Sequence, residues 1–288
     1  MADWQPLPNA PRLSPAVWAE TLDGGQAFRW NWQADAQAYL GIWRQHVVQL
    51  RLAPDEALHW RALTPHTTAA DVADYLALDV DFAALTDALP WRSDPVLAAA
   101  ITRWPGLRLL RQPLEEALLG FLCSATKRIP QIKLGLEALA EGFGQALAGG
   151  YHALPTWEEL ARATEAELRA TGIGYRAKNL HQTAHFLRAH PGYLEALADL
   201  AYPAAHQHLL ALPGVGPKVA DCVLLFGAQR YEAFPVDTWI LQTMGRHYAL
   251  EGWKPEQIAH FGRVHYGSAA GLAQQYLFAG ARRGKNAE

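Results

Sequence analysis

The sequence predicts an α+β N-terminal domain with an antiparallel sheet, followed by mainly α-helical domains that carry a helix–hairpin–helix motif. Three observations point there. Short segments of strand composition crowd into residues 27–63, helical spacing dominates after about residue 110, and a Gly-x-Gly turn at Gly214 and Gly216 joins two helical runs. Strands followed by a long series of helices argue for an α+β unit joined to an all-helical part.

Taken in order, residues 1–15 are proline-rich and read as an extended lead-in. Residues 28–32, 38–43, 47–52 and 58–63 have strand composition, with Gln45-His46 and Ala53-Pro54-Asp55-Glu56 as hairpin connections. Residues 69–89 read as one helix on the spacing of Val72, Tyr75, Leu76, Leu78, Phe82 and Leu85. Further helices are expected over 113–124, 129–143, 156–163, 165–171, 175–189, 192–201, 236–248 and 267–280. Gly149-Gly150-Tyr151-His152 reads as a loop within the helical part. The division places residues 1–112 in the α+β domain and 113–288 in the helical region, with the hairpin at about 202–228.

A chain of 288 residues buries roughly three quarters of its unfolded surface, enough for more than one core. The net charge of −3 gives no global attraction to polyanions, so any nucleic-acid contact must come from a local basic face and helix N-termini. Arg103, Arg108, Arg111, Lys127, Arg128, Lys133, Arg176, Lys178, Lys218, Arg282, Arg283 and Lys285 are the residues available for such a face. The two cysteines, Cys123 and Cys222, suit a reducing compartment and exclude a four-cysteine iron–sulfur cluster. No signal segment or membrane-length apolar run is present, so a soluble, intracellular protein is expected.

The chemistry concentrates in Leu212-Pro213-Gly214-Val215-Gly216-Pro217-Lys218-Val219-Ala220-Asp221-Cys222, with Pro235-Val236-Asp237 nineteen residues beyond Lys218. Gly214 and Gly216 remove side chains from a sharp turn and permit close backbone approach. Pro217 suits a first helical turn, whose free amides attract an anion such as phosphate. Alone, the Gly-x-Gly pattern favours an ordinary interhelical turn.

Lys218 and Cys222 lie four apart on one face of an otherwise apolar helix. An amine beside an apolar wall is less stabilised as a cation, and the free amine is the form that attacks carbon to make a Schiff base. A lysine stem that merely covers the helix would leave its ammonium in water. Asp237 stands where a loop gives way to a helix, and the dipole and free amides there favour its ionised form. Such an anion stabilises an oxocarbenium-like sugar as a base departs. Capping its own helix is compatible with that role, and spacing does not separate the two.

This hairpin and aspartate resemble the signature of the HhH-GPD DNA glycosylase superfamily, and other blocks narrow the resemblance to 8-oxoguanine DNA glycosylases. They are Gly25-Gln26-Ala27-Phe28-Arg29-Trp30, Gly106-Leu107-Arg108-Leu109-Leu110-Arg111-Gln112, Phe121-Leu122-Cys123-Ser124, Gly172-Ile173-Gly174-Tyr175-Arg176-Ala177-Lys178 and the stretch 274–278, in family order along nearly the whole chain. The resemblance implies excision of 8-oxoguanine from duplex DNA with AP lyase activity, by a bacterial, cytoplasmic, nucleoid-associated monomer. A C-terminal helix over 267–280 would return to the substrate pocket.

Residue by residue, the resemblance implies Lys218 as nucleophile and Asp237 as the catalytic carboxylate. Phe278 would stack on the flipped base, Gln274 would read its Watson–Crick edge, and the Gly25 carbonyl would accept the N7 hydrogen that 8-oxoguanine has and guanine lacks. Cys222, if ionised, would form a dipole with Lys218 against the oxidised base. Tyr175 and Arg176 match a wedge and an opposite-base contact, and Gly214 and Gly216 the DNA-backbone turn. The carbonyls of Leu210, Leu212 and Val215 would hold a monovalent cation, K+ or Na+, bridging to a phosphate. The chain departs from the animal and plant pattern in carrying Thr126-Lys127-Arg128 for an asparagine run and Gln131 for an arginine. Trp239 likewise replaces a histidine and Ala281 an acid. Lys127 and Arg128 remain candidate DNA contacts, and these changes imply relaxed partner-base choice.

Two other functions compete. A monofunctional alkylbase glycosylase of the same fold would use Asp237 and water but has no need of Lys218. A non-enzymatic helix–hairpin–helix DNA-binding module explains Gly214 and Gly216 but leaves Lys218, Asp237, Gln274 and Phe278 as coincidences.

Overall fold

A five-stranded antiparallel sheet of order β1-β5-β4-β3-β2 forms one flank of the molecule, from β1 (Gln5–Pro6), β2 (Trp30–Gln33), β3 (Ala38–Trp43), β4 (His46–Leu52) and β5 (Leu58–Ala62). The computed structural model describes residues 3–284; Lys285 and the side chain of Arg283 lie outside the described residues. The expected strands stand within one or two residues of their predicted bounds. The β3–β4 hairpin turns at Arg44-Gln45, one residue before the expected Gln45-His46, because Trp43 pairs with His46. The lead-in also contributes β1, which sits on the sheet edge, where Pro6 costs no ladder hydrogen bond.

The helices are α1 (Pro15–Asp23), α2 (Ala69–Tyr75), α3 (Phe82–Ala88), α4 (Pro95–Arg103), α5 (Leu114–Ser124), α6 (Ile129–Phe143), α7 (Trp157–Leu160), α8 (Glu165–Leu168), α9 (Arg176–Ala189), α10 (Tyr202–Leu210), α11 (Pro217–Phe226), α12 (Thr238–Tyr248), α13 (Pro255–Tyr266) and α14 (Ala270–Gly284). The single helix expected over 69–89 is two. Ala77 takes φ 48°, and Asp81 starts α3 by accepting from the Ala84 amide at 2.9 Å. Leu76, Ala77 and Phe82 are all buried across the break, so the apolar spacing carries no trace of it. Residues 192–201 hold only a 3-10 stretch, Glu195–Asp199.

Helices α1, α4 and α13 were not expected. The first two begin with a capping residue followed by proline, Ser14-Pro15 and Asp94-Pro95, and both caps accept from the third helical amide. Cap-then-proline is the local signal that identifies them.

One face of the sheet packs Trp30, Trp43, Leu50 and Trp60 against Trp18 and Leu22 of α1 and Val72 and Tyr75 of α2. A larger core runs from Val17 and Phe28 through α5, α6, α9 and α11 to Ala279 of α14. It includes α3 and α4, so one body of buried side chains crosses the 112/113 division, and α14 returns to pack on α4 and α3. No helix among the described residues is long and apolar enough to cross a membrane.

Two amides tie the N-terminal motif to the hairpin. Gln26 accepts from the Leu110 amide (3.0 Å) and donates to the Arg108 carbonyl (2.7 Å), while its own carbonyl accepts from Gln112 Nε2 (2.7 Å). The Gln112 amide in turn donates to the Phe226 carbonyl at the end of α11 (2.9 Å). A buried chain of hydrogen bonds of this kind fixes the Gly25 turn relative to the helix that carries Lys218.

Candidate active site

The hairpin between α10 and α11 is built against α9. Gly214 has φ 79°, and a Cβ there would lie 2.5–2.6 Å from the Asn179 side chain. Thr183 Oγ1 donates to the Pro213 carbonyl at 2.9 Å. Gly214 is therefore required by the fold. Gly216 is different: it has extended backbone (φ −94°) and nothing within 4 Å of a built Cβ. Nothing inside the protein accounts for a glycine there, and the open space above it faces outward from the start of α11.

Lys218 follows in the first turn of α11, half-buried, with Nζ 5.0 Å from the centre of the Phe121 ring of α5. One turn later Cys222 is buried, and burial pushes its thiol up to about 11 despite the adjacent Lys218 amine. Burial thus favours the neutral thiol over the thiolate half of an ion-pair dipole in the free protein.

Asp237 caps α12 and accepts from the Ile240 amide at 2.8 Å. Its acidity departs from the expectation. Burial raises the carboxyl above its ordinary value, outweighing the amides of Ile240 and Trp239 and the charge of Lys218, all of which favour ionisation. The cap geometry is as expected, but removal from water dominates. Lys218 acts electrostatically on both Cys222 and Asp237, so the sequence-predicted trio shares one site.

The Gly25 turn faces Ile129 of α6 and Phe278 of α14, and its missing side chain leaves a narrow slot between them. Gly25 has φ 108°, and a Cβ there would stand 3.0 Å from Ile129 Cδ1 and 3.8 Å from Phe278 Cε1. The structure thus brings Gly25 and Phe278 together across 253 positions of sequence and adds Ile129 as a third wall, for which the sequence carries no local signal. Gln274, one turn before Phe278, is 3% exposed, and its Oε1 accepts from Gln275 at 2.7 Å.

The third group differs most from expectation. Tyr175 is 56% exposed, as a wedge should be, but Arg176 is only 4% exposed. Its guanidinium donates to the Ile173 carbonyl (3.0 Å) and Thr126 Oγ1 (2.8 Å) and lies 4.4 Å over the Tyr175 ring. Lys127 Nζ donates to the Gly172 carbonyl at 2.9 Å, and Gln131 Oε1 accepts from the Arg128 amide at 3.1 Å. Arg128 is exposed.

Several residues offered for a basic face are spent inside the protein. Arg108 donates to the Ala77 carbonyl, Arg111 pairs with Asp74 and Asp79, Lys133 with Asp23, and Arg282 with Glu20. Long-range carboxylates and carbonyls claim them, which no composition count reveals. Among the described residues, no cluster of three or more His, Cys, Asp or Glu side chains could hold a metal ion.

Residues 13–118 match the family described as 8-oxoguanine DNA glycosylase, N-terminal domain, and residues 120–263 match the HhH-GPD superfamily base excision DNA repair protein family. The chain is 34% identical over 277 residues to the N-glycosylase/DNA lyase of Arabidopsis thaliana, covering 90% of this chain and 75% of that protein. It is 34% identical over 262 residues to the N-glycosylase/DNA lyase of Saccharomyces cerevisiae, covering 82% and 69%. Its fold superposes with a TM-score of 0.86 on the Clostridium acetobutylicum 8-oxoguanine glycosylase/lyase solved with dsDNA containing cytosine opposite 8-oxoG, at 34% identity over 93% of this chain and 92% of that one.

Proposed function

Because the chain belongs to the HhH-GPD superfamily of base excision DNA repair proteins, in its 8-oxoguanine N-glycosylase/DNA lyase branch, we propose that it excises 8-oxoguanine from duplex DNA and cleaves the abasic strand. The observation that carries this reading is the amine of Lys218, held over Phe121 in the first turn of α11 and acting electrostatically on Asp237.

The Lys218 amine attacks C1′ of the flipped nucleotide, and the bond from C1′ to the base nitrogen breaks with its electron pair leaving on the base. Positive charge develops on the sugar, and the Asp237 carboxylate, poorly solvated and already oriented by the Ile240 amide, stabilises it. Ring opening leaves a Schiff base between Lys218 and C1′, which acidifies the C2′ proton and permits β-elimination of the 3′ strand. A monofunctional hydrolase needs no amine at this position, and a binding module needs neither residue.

The slot supports the base assignment. Phe278 stacks on the extruded base, and the Gly25 carbonyl accepts the N7 hydrogen specific to the oxidised form. Guanine would leave two acceptors facing each other, which is costly in a closed pocket. Gln275 orients the Gln274 amide before any base arrives, leaving an acceptor lone pair for the Watson–Crick edge. Tyr175 is exposed enough to fill the vacated stack, and the open space at Gly216 admits a DNA phosphate to the α11 amides.

A monovalent cation at this turn is part of the same proposal. Its donors would be the neutral carbonyls of Leu210, Leu212 and Val215, drawn into a tight turn in which the Val215 amide donates to Leu212 O at 3.1 Å. A bound K+ or Na+ would supply a positive charge for the same phosphate.

Borohydride trapping on duplexes that carry different oxidised bases opposite each normal base tests the reading. A covalent adduct on the 8-oxoguanine duplex is the expected result, and excision without any trappable adduct would favour the monofunctional alternative.

A further inference from the structure

Helix α1 ends in two acids, Glu20 and Asp23, immediately before the Gly24-Gly25 turn. Each is spent on a different distant helix. Glu20, with its side chain 3% exposed, accepts from one Arg282 guanidinium nitrogen through both oxygens, at 2.8 and 2.7 Å, and Arg282 lies near the end of α14. Asp23 pairs with Lys133 of α6, which also donates to the Trp30 carbonyl and, at 3.4 Å, to Asn31 Oδ1.

The same two helices wall the slot at Gly25, through Ile129 of α6 and Phe278 of α14. Ile129 and Lys133 are four residues apart, as are Phe278 and Arg282. On each helix the slot wall and the charged anchor thus share one face, one turn apart. Apolar residues would bury this surface without desolvating ions. An ion pair adds a defined separation between its partners. The Gly25 carbonyl itself, in a turn with φ 108°, has no side chain to locate it.

We propose that the Glu20–Arg282 and Asp23–Lys133 pairs are positioning residues that set the width of the slot between Gly25, Ile129 and Phe278, and through it the choice of excised base. This rests on the reading of that slot as the base pocket. A purine must sit on Phe278 with its N7 hydrogen at bonding distance from the Gly25 carbonyl, so a slot misplaced by a fraction of an ångström loses discrimination. Amine chemistry on DNA that has already lost its base does not pass through the slot.

The test compares the full-length wild type with two variants, the double substitution Glu20→Leu with Arg282→Leu, which leaves no buried charge unpaired, and Lys133→Met. Single-turnover release of 8-oxoguanine opposite cytosine should slow about 10- to 100-fold. Borohydride trapping on a preformed abasic duplex should stay within about twofold of wild type. Unchanged excision overturns the proposal, and so does a parallel loss of excision and trapping, since a pair that only holds the fold would lower both. If the double variant does not fold, Arg282→Gln serves, because glutamine removes the charge and the reach to Glu20; wild-type excision in that variant also overturns the proposal. Phe278→Ala separates the two levels: if it excises normally, the base-pocket reading itself fails, whereas impaired Phe278→Ala beside normal Glu20 and Arg282 variants rejects only the positioning pairs.

Discussion

Lys218 Nζ stands 5.0 Å from the centre of the Phe121 ring, which joins the start of α11 to the last turn of α5. Phe121 stacks in turn on Phe226, at the far end of Lys218's own helix, with ring centres 5.5 Å apart and planes 16° apart. The ring attracts an ammonium over its face and excludes water from one side of the amine. The nucleophile is therefore held against a rigid wall before any DNA arrives.

Lys218→Gln should abolish the borohydride-trapped adduct while leaving binding to damaged duplex largely intact. Glutamine keeps most of the stem that covers Phe121 but has no nucleophilic amine. An adduct at wild-type yield would eliminate Lys218 as the attacking group.

Asp237→Asn should slow base release about 100- to 1000-fold, because it removes a preorganised charge from a developing cation. Burial raises the carboxyl of Asp237, so the folded protein holds that proton more tightly than the unfolded chain does. The side chain then lowers stability as pH rises through that raised value, and the penalty vanishes below the unfolded value. Asparagine caps the helix without this cost, so its melting temperature at neutral pH should equal or exceed wild type. Excision by the wild type should fall on acidification as the carboxylate is protonated, and Asp237→Asn should lack that limb. Near-normal single-turnover excision would reduce Asp237 to a cap.

The two hairpin glycines should separate stability from binding. Gly214→Ala forces a side chain into φ 79° and against Asn179, and should cost about 1–3 kcal/mol of stability, read by denaturant unfolding. A Cβ at Gly216 has nothing within 4 Å, so Gly216→Val should melt close to wild type. It should weaken binding to damaged and undamaged duplex alike, because a backbone contact positions without reading sequence. Loss confined to damaged DNA would contradict that role.

Partner-base choice should be looser than in stricter relatives. Arg176 is turned inward onto Thr126 and the Ile173 carbonyl, and Gln131 accepts from the Arg128 amide at the start of α6. Fewer fixed donors then face an orphaned cytosine, and each bidentate base contact is worth about 1–3 kcal/mol. Single-turnover rates on 8-oxoguanine opposite the four normal bases should show cytosine preferred by a small margin. A steep cytosine-only profile would mean that Lys127 or Arg128 supplies the missing contact.

The hairpin, the strands β2 to β5 and the pairing of Gln274 with Phe278 on one helix face were legible because each is a short-range property of composition or period. The break between α2 and α3 was not, since Leu76, Ala77 and Phe82 stay buried through it. Helices α1 and α4 were legible in principle from Ser14-Pro15 and Asp94-Pro95. The wall residue Ile129 was not, because nothing local distinguishes it from other apolar residues that open a helix.

By itself the sequence determined the succession of strands β2 to β5 by helices, the turn at Gly214, the placement of Lys218 one helical turn before Cys222 and the cap at Asp237. These follow from backbone sterics and helical period within a few residues. Only the tertiary structure decided that burial raises the Cys222 thiol, that burial overrides the helix amides at Asp237, that Arg176 points inward, and that Arg282 reaches Glu20 across 262 positions of chain. Desolvation and ion pairing depend on which distant segment covers a group, and that depends on how the whole chain packs.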